Sequence, residues 1–400
     1  MSESKKLIPR RRFKEFEGAQ MWEKLRLGDH AIIKGRLGWK SLKQEEYVDH
    51  GPSMIAGKHI TEGIINWNKV DHIPQWRYDE SPEIMLKNGD IIFSKDGSLG
   101  NPALITNLNS LATINSTMML VRLKKNISSI FFYQVMLSSQ FENLVRLKVS
   151  GSSIPHLFQA DMTEFKFNTP EVDEQTQIGE FFKKLDNLIS TQQKKLEKTK
   201  TLKSAYLREM FPNEGELKPR LRFTGFNISW KEKKLEEITK TTIGEFVIKT
   251  KQNPNSPYPV YNGGISYTGF YDEFNNEANK IVISARGANA GFINIVRNRY
   301  WAGNSCYSIN IINNTLLSID YLFYSLKRNQ HFFTQNQQAA NIPSVSKKEV
   351  ETFTVLLTNI TEQTKIGNFF KLLDDKIALE QKKLDKLKNI KQAYLNEMFV

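Results

Sequence analysis

A block of 38 residues is present twice in this chain. Residues Glu174 to Phe211 (EQTQIGEFFKKLDNLISTQQKKLEKTKTLKSAYLREMF) return 188 positions later as Glu362 to Phe399 (EQTKIGNFFKLLDDKIALEQKKLDKLKNIKQAYLNEMF), with 24 of the 38 residues identical and no gap. Whatever one copy folds into, the other must fold into as well. The stretches that precede the copies differ from each other, so the chain reads as one frame carrying two dissimilar domains.

Both copies have the pattern of long helices. Apolar residues fall at Ile178, Phe182, Leu185, Ile189 and Leu196 in the first, and at Ile366, Phe370, Leu373, Ile377, Leu384 and Leu387 in the second. Steps of four and three make this a heptad seam suited to helix pairing. Neither copy contains proline, and Lys, Glu and Gln fill the outer faces as good helix formers. Some 36 helical residues would reach roughly 54 Å. After Phe211, Pro212, Asn213, Gly215 and Pro219 stop the helix.

The chain then restarts with an echo of its beginning. Arg222, Phe223, Phe226, Trp230, Lys234 and Leu235 repeat the order of Arg12, Phe13, Phe16, Trp22, Lys24 and Leu25. The repeated unit is therefore a short lead-in, a variable domain and a long helix. This gives residues 1–173 as the first variable domain with its lead-in, 174–211 as a central helix, 212–221 as a hinge, 222–361 as the second variable domain and 362–400 as a C-terminal helix. If a twofold axis relates the units, Phe399 must lie close to Arg12, as Phe211 lies close to Arg222.

Inside the variable segments, short apolar stretches such as Asp90–Ser94, Met118–Arg122 and Lys280–Ser284 have strand length and turn punctuation. Aromatics at helical spacing mark a helix near Ile130–Leu147 and another near Ile319–Phe333, with Phe131, Phe132, Phe141, Tyr321, Phe323 and Tyr324 read as core. The halves share a faint skeleton: Ser94–Gly100 (SKDGSLG) corresponds to Ser284–Gly291 (SARGANAG), and Asn115–Ser116 to Asn304–Ser305. The expected fold class is α+β, with two pseudo-symmetric, mixed, strand-rich domains separated by two long helices paired as an antiparallel coiled coil.

Charge points to the partner. The formal net charge is +13, with 23 Lys and Arg against 18 Asp and Glu in residues 1–170 and 17 against 12 in residues 212–361. Each variable segment is thus moderately basic, which suits a polyanion. A single cysteine, Cys306, excludes an intrachain disulfide and fits a reducing, cytoplasmic setting, and no apolar run is long enough for a membrane span. Catalytic patterns are missing. Gly51–Lys58 (GPSMIAGK) has one residue too many for a phosphate-binding loop, and His59 stands where Ser or Thr would hold magnesium. Asp161, Glu164 and Lys166 read as a solvated face, and the six histidines lack metal spacing, so neither catalytic nor metal residues are assigned.

The order of lead-in, variable domain and EQT…GxFFxxLD…QKKLxKxK…KxAYLxEMF helix, then all of it again, resembles the specificity (S) subunit of a type I restriction-modification system. The resemblance implies a non-catalytic subunit whose variable domains are target-recognition domains. Each reads one half of a bipartite double-stranded DNA site, while the helices pair as spacer and docking platform. It also implies two copies of a DNA adenine methyltransferase (M) subunit using S-adenosylmethionine, and motor/endonuclease (R) subunits using ATP and magnesium. This chain itself would carry no cofactor and meet no membrane.

Phosphates call for Lys and Arg, and base edges for Arg, Asn, Gln, Ser or Thr on loops that enter a groove. Those criteria select Lys34, Arg36, Lys40, Lys43, Lys58, Lys95 and Ser98 in the first domain. In the second they select Lys249, Lys251, Tyr258, Asn262, Arg286, Asn289, Arg297 and Arg299. A coiled-coil interaction protein whose paired domains bind a non-DNA ligand is the alternative, and it predicts no salt-dependent affinity for duplex DNA.

Overall fold

The computed structural model describes residues 7–37, 42–150, 155–335 and 343–400. The chain forms two compact units, one of residues 1–192 with 383–400 and the other of residues 193–382. That division cuts both long helices, so each domain owns the start of one helix and the end of the other.

In the first unit, β1 (Glu23–Arg26) pairs antiparallel with β6 (Lys166–Thr169). Between them in sequence lies a four-stranded antiparallel sheet of β2 (Ala31–Gly35), β3 (Ile91–Ser94), β4 (Gly100–Leu104) and β5 (Met118–Leu123), in spatial order β2-β5-β3-β4. Burial explains the order. Every residue of β3 is buried, as suits a strand covered on both faces, whereas β2 at the edge alternates buried Ala31 and Ile33 with exposed Ile32 and Lys34. The expected helix near 130–147 is two helices, α1 (Ser129–Val135) and α2 (Ser139–Ser150), broken where the Ser138 hydroxyl donates to the Val135 carbonyl at 2.7 Å. Phe131, Phe132 and Phe141 are core, as expected.

The second unit repeats this plan. Strand β7 (Lys231–Lys234) pairs with β12 (Thr354–Leu357), and β8 (Thr239–Ile243), β9 (Lys280–Ser284), β10 (Ile293–Val296) and β11 (Cys306–Ile311) form a sheet of order β8-β11-β9-β10. Helices α4 (Ile319–Arg328) and α5 (Gln330–Gln335) take the places of α1 and α2.

The long helices are α3 (Val172–Glu209) and α6 (Ile360–Met398). Each begins by packing on its own domain: a Cβ on Gly179 would stand 3.1 Å from the Phe131 nitrogen, and one on Gly367 only 2.9 Å from the Tyr321 nitrogen. Glycine is what permits that approach. Gln175 and Gln363, in the first turns, accept from the Ser128 and Ser318 backbone N–H at 2.9 and 3.0 Å, fixing the caps of α1 and α4.

Each unit also receives the far end of the other helix, running antiparallel. In the first unit Phe181 meets Tyr394 at 4.9 Å and Lys391 pairs with Asp186 at 2.6 Å. In the second, Tyr206 meets Phe369 at 5.1 Å and Lys203 pairs with Asp374. The seam residues serve both roles. Ile178, Phe182 and Leu185 and, in the second copy, Ile366 and Phe370 are buried, as are Leu196 and Leu384 midway, while Ile189, Leu373, Ile377 and Leu387 are half-buried.

The lead-ins close each unit. Arg12 makes a fork onto Glu174 (2.7 and 2.6 Å) and Arg222 onto Glu362 (2.6 and 2.8 Å), with all four side chains largely or wholly buried. The Arg11 N–H donates to the Glu397 carbonyl at 3.0 Å, as the Leu221 N–H donates to Glu209 at 2.8 Å. Phe399 therefore lies beside the Arg12 lead-in, as the duplication predicts.

One half-buried cation gives the second unit a pH signature. Lys327 donates to the Ile293 carbonyl (2.9 Å) and to Gln330 (2.7 Å) over the Phe292 ring. Burial, then the neighbouring Lys203, pushes its pKa down from 10.5 to about 8. Between those values the unfolded chain binds the proton and the folded chain does not, so this group's contribution to stability rises with pH across that window. Lys327→Met removes the effect. Wild type should gain stability relative to the variant between pH 8 and 10, measured by denaturant unfolding of both proteins.

Candidate nucleic-acid interface

The same end of the sheet is built up in both domains. In the first, β2 ends at Gly35 opposite Met119, and β3 ends at Ser94 opposite Met118. The turn Lys95–Leu99 follows, with Gly97 at φ 71°, a conformation that favours glycine. A Cβ on Gly35 would lie 3.6 Å from Lys95 Cε, and one on Gly57 only 2.5 Å from Ser94 Oγ. The ends of β2, the Gly57–Lys58 turn and the Lys95–Leu99 turn thus converge.

In the second domain, β8 ends at Ile243 opposite Tyr307, and β9 at Ser284 opposite Cys306. Its turn, Ala285–Ala290, has Gly287 at φ 93°. The Asn262–Gly264 turn is seated against it, since Ser284 Oγ donates to the Gly264 carbonyl at 2.9 Å and Asn262 Oδ1 accepts from the Ser305 N–H at 3.0 Å.

Backbone bonds show that the two turns are one element in two versions. Lys95 donates to Thr117 (2.9 Å) and accepts from Leu157 (2.9 Å); Ala285 donates to Ser305 (2.8 Å) and accepts from Val345 (2.9 Å). Asp96 and Arg286 consequently occupy the same place, bridged to His156 and Ser344 respectively. The faint skeleton shared by SKDGSLG and SARGANAG is real structure.

The selected residues divide by environment. Lys34, Lys43 and Ser98 are exposed in the first domain, and Lys249, Lys251, Arg286 and Asn289 in the second. Lys58 is paired with Asp71 at 2.9 Å and Lys95 with Asp96 at 2.8 Å. Arg36 differs from its expected place on a surface turn: it is 3% exposed, with Nε donating to the Ile114 carbonyl at 3.3 Å. Burial lowers its pKa, and its guanidinium is used inside the domain. Lys40 lies outside the described residues.

In the second domain Asn262 joins Arg286 and Asn289 in one cluster. Arg297 and Arg299 do not, because they follow Val296, which pairs with Lys280 at the opposite end of the sheet. There Arg297 pairs with Asp320, and Arg299 with Glu277 at 2.9 Å, above the Phe274 ring that Tyr258 also meets at 5.0 Å. Phe246, Ile265 and Tyr267 are also exposed in this domain.

Elsewhere, the acidic residues beside the first sheet are engaged in ion pairs. Glu164 holds Arg26 at 2.5 Å and Asp161 holds Lys148 at 2.7 Å. His59 is buried, its Nδ1 accepting from the Ala56 N–H at 3.0 Å, so Gly51–Lys58 is strand and turn rather than a phosphate cradle. Among the described residues, no group of three or more His, Cys, Asp or Glu could hold a metal ion, and no helix is long and apolar enough to cross a membrane.

Comparison with known proteins agrees with this duplicated plan. A family model described as "Type I restriction modification DNA specificity domain" matches residues 20–200 and again 227–389. A protein of Methanocaldococcus jannaschii named as the MjaX specificity subunit of a type I restriction enzyme is 22% identical, over 84% of each chain. A Mycoplasma genitalium protein named as a type I specificity subunit is 21% identical over 45% of this chain, which spans about half the relative's length (47%). The crystal structure of a type I restriction-modification S subunit from M. genitalium superposes with a TM-score of 0.71 at 18% identity, covering 98% of this chain and 99% of that one.

Proposed function

Since the chain belongs to the type I restriction modification DNA specificity family, we propose that it is the specificity subunit of such a system, reading a split double-stranded DNA site with one half assigned to each variable domain. Its work is recognition, and the chain carries no catalysis of its own. The observation that supports the reading most is the pair of equivalent turns: one backbone element, placed identically in two domains, presents different side chains. Readers of two unlike half-sites need that combination.

On this reading Arg286, Asn289 and Asn262 face base edges in the second half-site, with Lys249 and Lys251 toward phosphates. Lys34, Lys43, Lys58, Lys95 and Ser98 serve the first. The paired helices act as spacer. Their repeated surfaces offer equivalent docking for two methyltransferase subunits, which would use S-adenosylmethionine, and for motor/endonuclease subunits, which would use ATP and magnesium. The setting is the cytoplasm, where all of these meet chromosomal DNA.

Methylation mapping in cells that carry this chain with its partner subunits tests the proposal. Exchanging residues 13–170 for another such domain should change one half of the methylated sequence only. Arg286→Ala should relax a base in the other half, at a cost of about 1–3 kcal/mol for a lost base contact. Affinity for duplex DNA should also fall steeply with salt. Changes in both halves from either variant, or binding indifferent to salt, would overturn the reading.

A further inference from the structure

We infer that His156, held in place by Asp96 across the backbone bridge whose counterpart in the second domain joins Arg286 to Ser344, is a base-reading side chain of the first domain; this rests on the DNA-reading function proposed above. The two domains supply a comparison within one molecule. In the second domain the turn is fastened to the following segment by backbone alone: Val345 N–H to Ala285 carbonyl (2.9 Å) and Gly287 N–H to Pro343 carbonyl (2.9 Å). Arg286 and Ser344, bridged through the backbone, need no side-chain clamp there.

The first domain makes the equivalent bond, Leu157 N–H to Lys95 carbonyl at 2.9 Å, and then adds side chains. His156 Nδ1 meets Asp96 Oδ1, Lys95 Nζ meets Asp96 Oδ2 at 2.8 Å, and the imidazole lies 4.2 Å from the Phe158 ring. The backbone bridge of Asp96 to His156 closes this turn as that of Arg286 to Ser344 closes the other, so the added side chains are open to another purpose.

Chemistry supplies one. A carboxylate facing a polyanion would be repelled, but Asp96 is spent on Lys95 and His156 and is not itself offered. A carboxylate can only accept, so Nδ1 must be the donor, and the ring orientation is set. Nε2 then points away with no hydrogen bond to the described residues, on a side chain that is 30% exposed. Beside it, Gly97 is open, since nothing lies within 4 Å of where a Cβ would be. Exposed Phe158 (59%) forms an apolar wall for the same space. An oriented ring nitrogen with an adjacent flat apolar surface suits the edge of a base rather than a phosphate. Asp96 is a positioning residue in this arrangement.

The test is binding selection by the full chain, with its partner subunits, from a duplex library randomised in both half-sites. The wild-type protein comes first: absence of any bipartite preference defeats the function proposed above, independently of His156. Given that preference, His156→Ala should lower discrimination about tenfold at one base pair of the first half-site, the order of a single mismatch. The second half-site should be unchanged, and His156→Gln should restore part of the loss. Asp96→Asn should relax the same base pair, with little further effect once His156 is alanine. Should His156→Ala not fold, the transplant Arg286→Asp with Ser344→His offers the converse reading, expected to change the second half-site alone. Unaltered selectivity, or uniform weakening across all sequences, overturns the inference.

Discussion

Truncating Phe399 to alanine should cost the first domain about 3–5 kcal/mol, the range for deleting a buried aromatic ring. The residue is only 6% exposed. Its ring meets Trp22 at 6.0 Å, Phe131 at 5.5 Å and Phe182 at 5.9 Å, so three segments distant in sequence share it. Phe211 does the same in the second domain against Trp230, Tyr321 and Phe370, at 6.1, 5.5 and 5.9 Å. Denaturant unfolding followed by hydrogen exchange should therefore assign the loss in Phe399→Ala to the first domain and that in Phe211→Ala to the second. A loss under about 1 kcal/mol would mean that the ring is not part of the core it touches.

Glu362→Ala should be as severe, about 3–5 kcal/mol, for a different reason. Its side chain is fully buried, and removing it strands the Arg222 guanidinium, itself only 13% exposed, without a counter-charge. Desolvating an unpaired charge is what costs, not the loss of attraction alone. The double replacement Arg222→Met with Glu362→Leu should therefore recover most of the stability, because apolar pairs often match buried ion pairs. A double-mutant cycle on unfolding free energies would show a large coupling. Near-additive single losses would mean that water reaches the pair.

Much of this was legible in the sequence because duplication removes ambiguity. The heptad steps gave both helices, and the echo of Arg12 and Trp22 in Arg222 and Trp230 gave the meeting of each lead-in with a helix end. Both features recur in the same order in the two halves. What was not legible depends on partners far along the chain. Arg36 looks like a turn residue beside Gly35, and only the long-range fold, which sets its guanidinium on the Ile114 carbonyl and the Ser81 hydroxyl, buries it. Arg297 and Arg299 find Asp320 and Glu277 through loop geometry that no local pattern encodes. His156 gave no metal or catalytic spacing, and its partner Asp96 is 60 residues earlier. The break after α1, where the Ser138 hydroxyl bonds the Val135 carbonyl, is not marked by the aromatic periodicity.

The helix ends have a further consequence for how such a chain can diversify. Each domain is finished by a plug, the AYLREMF of residues 205–211 or the AYLNEMF of residues 393–399. The two plugs differ at one position, and the sockets that receive them are built alike, from Trp22 and Phe131 or from Trp230 and Tyr321. A domain imported from elsewhere thus needs only a compatible socket to be completed by the resident chain. The turns at the end of its sheet lie apart from the plug and are free to change without renegotiating the joint.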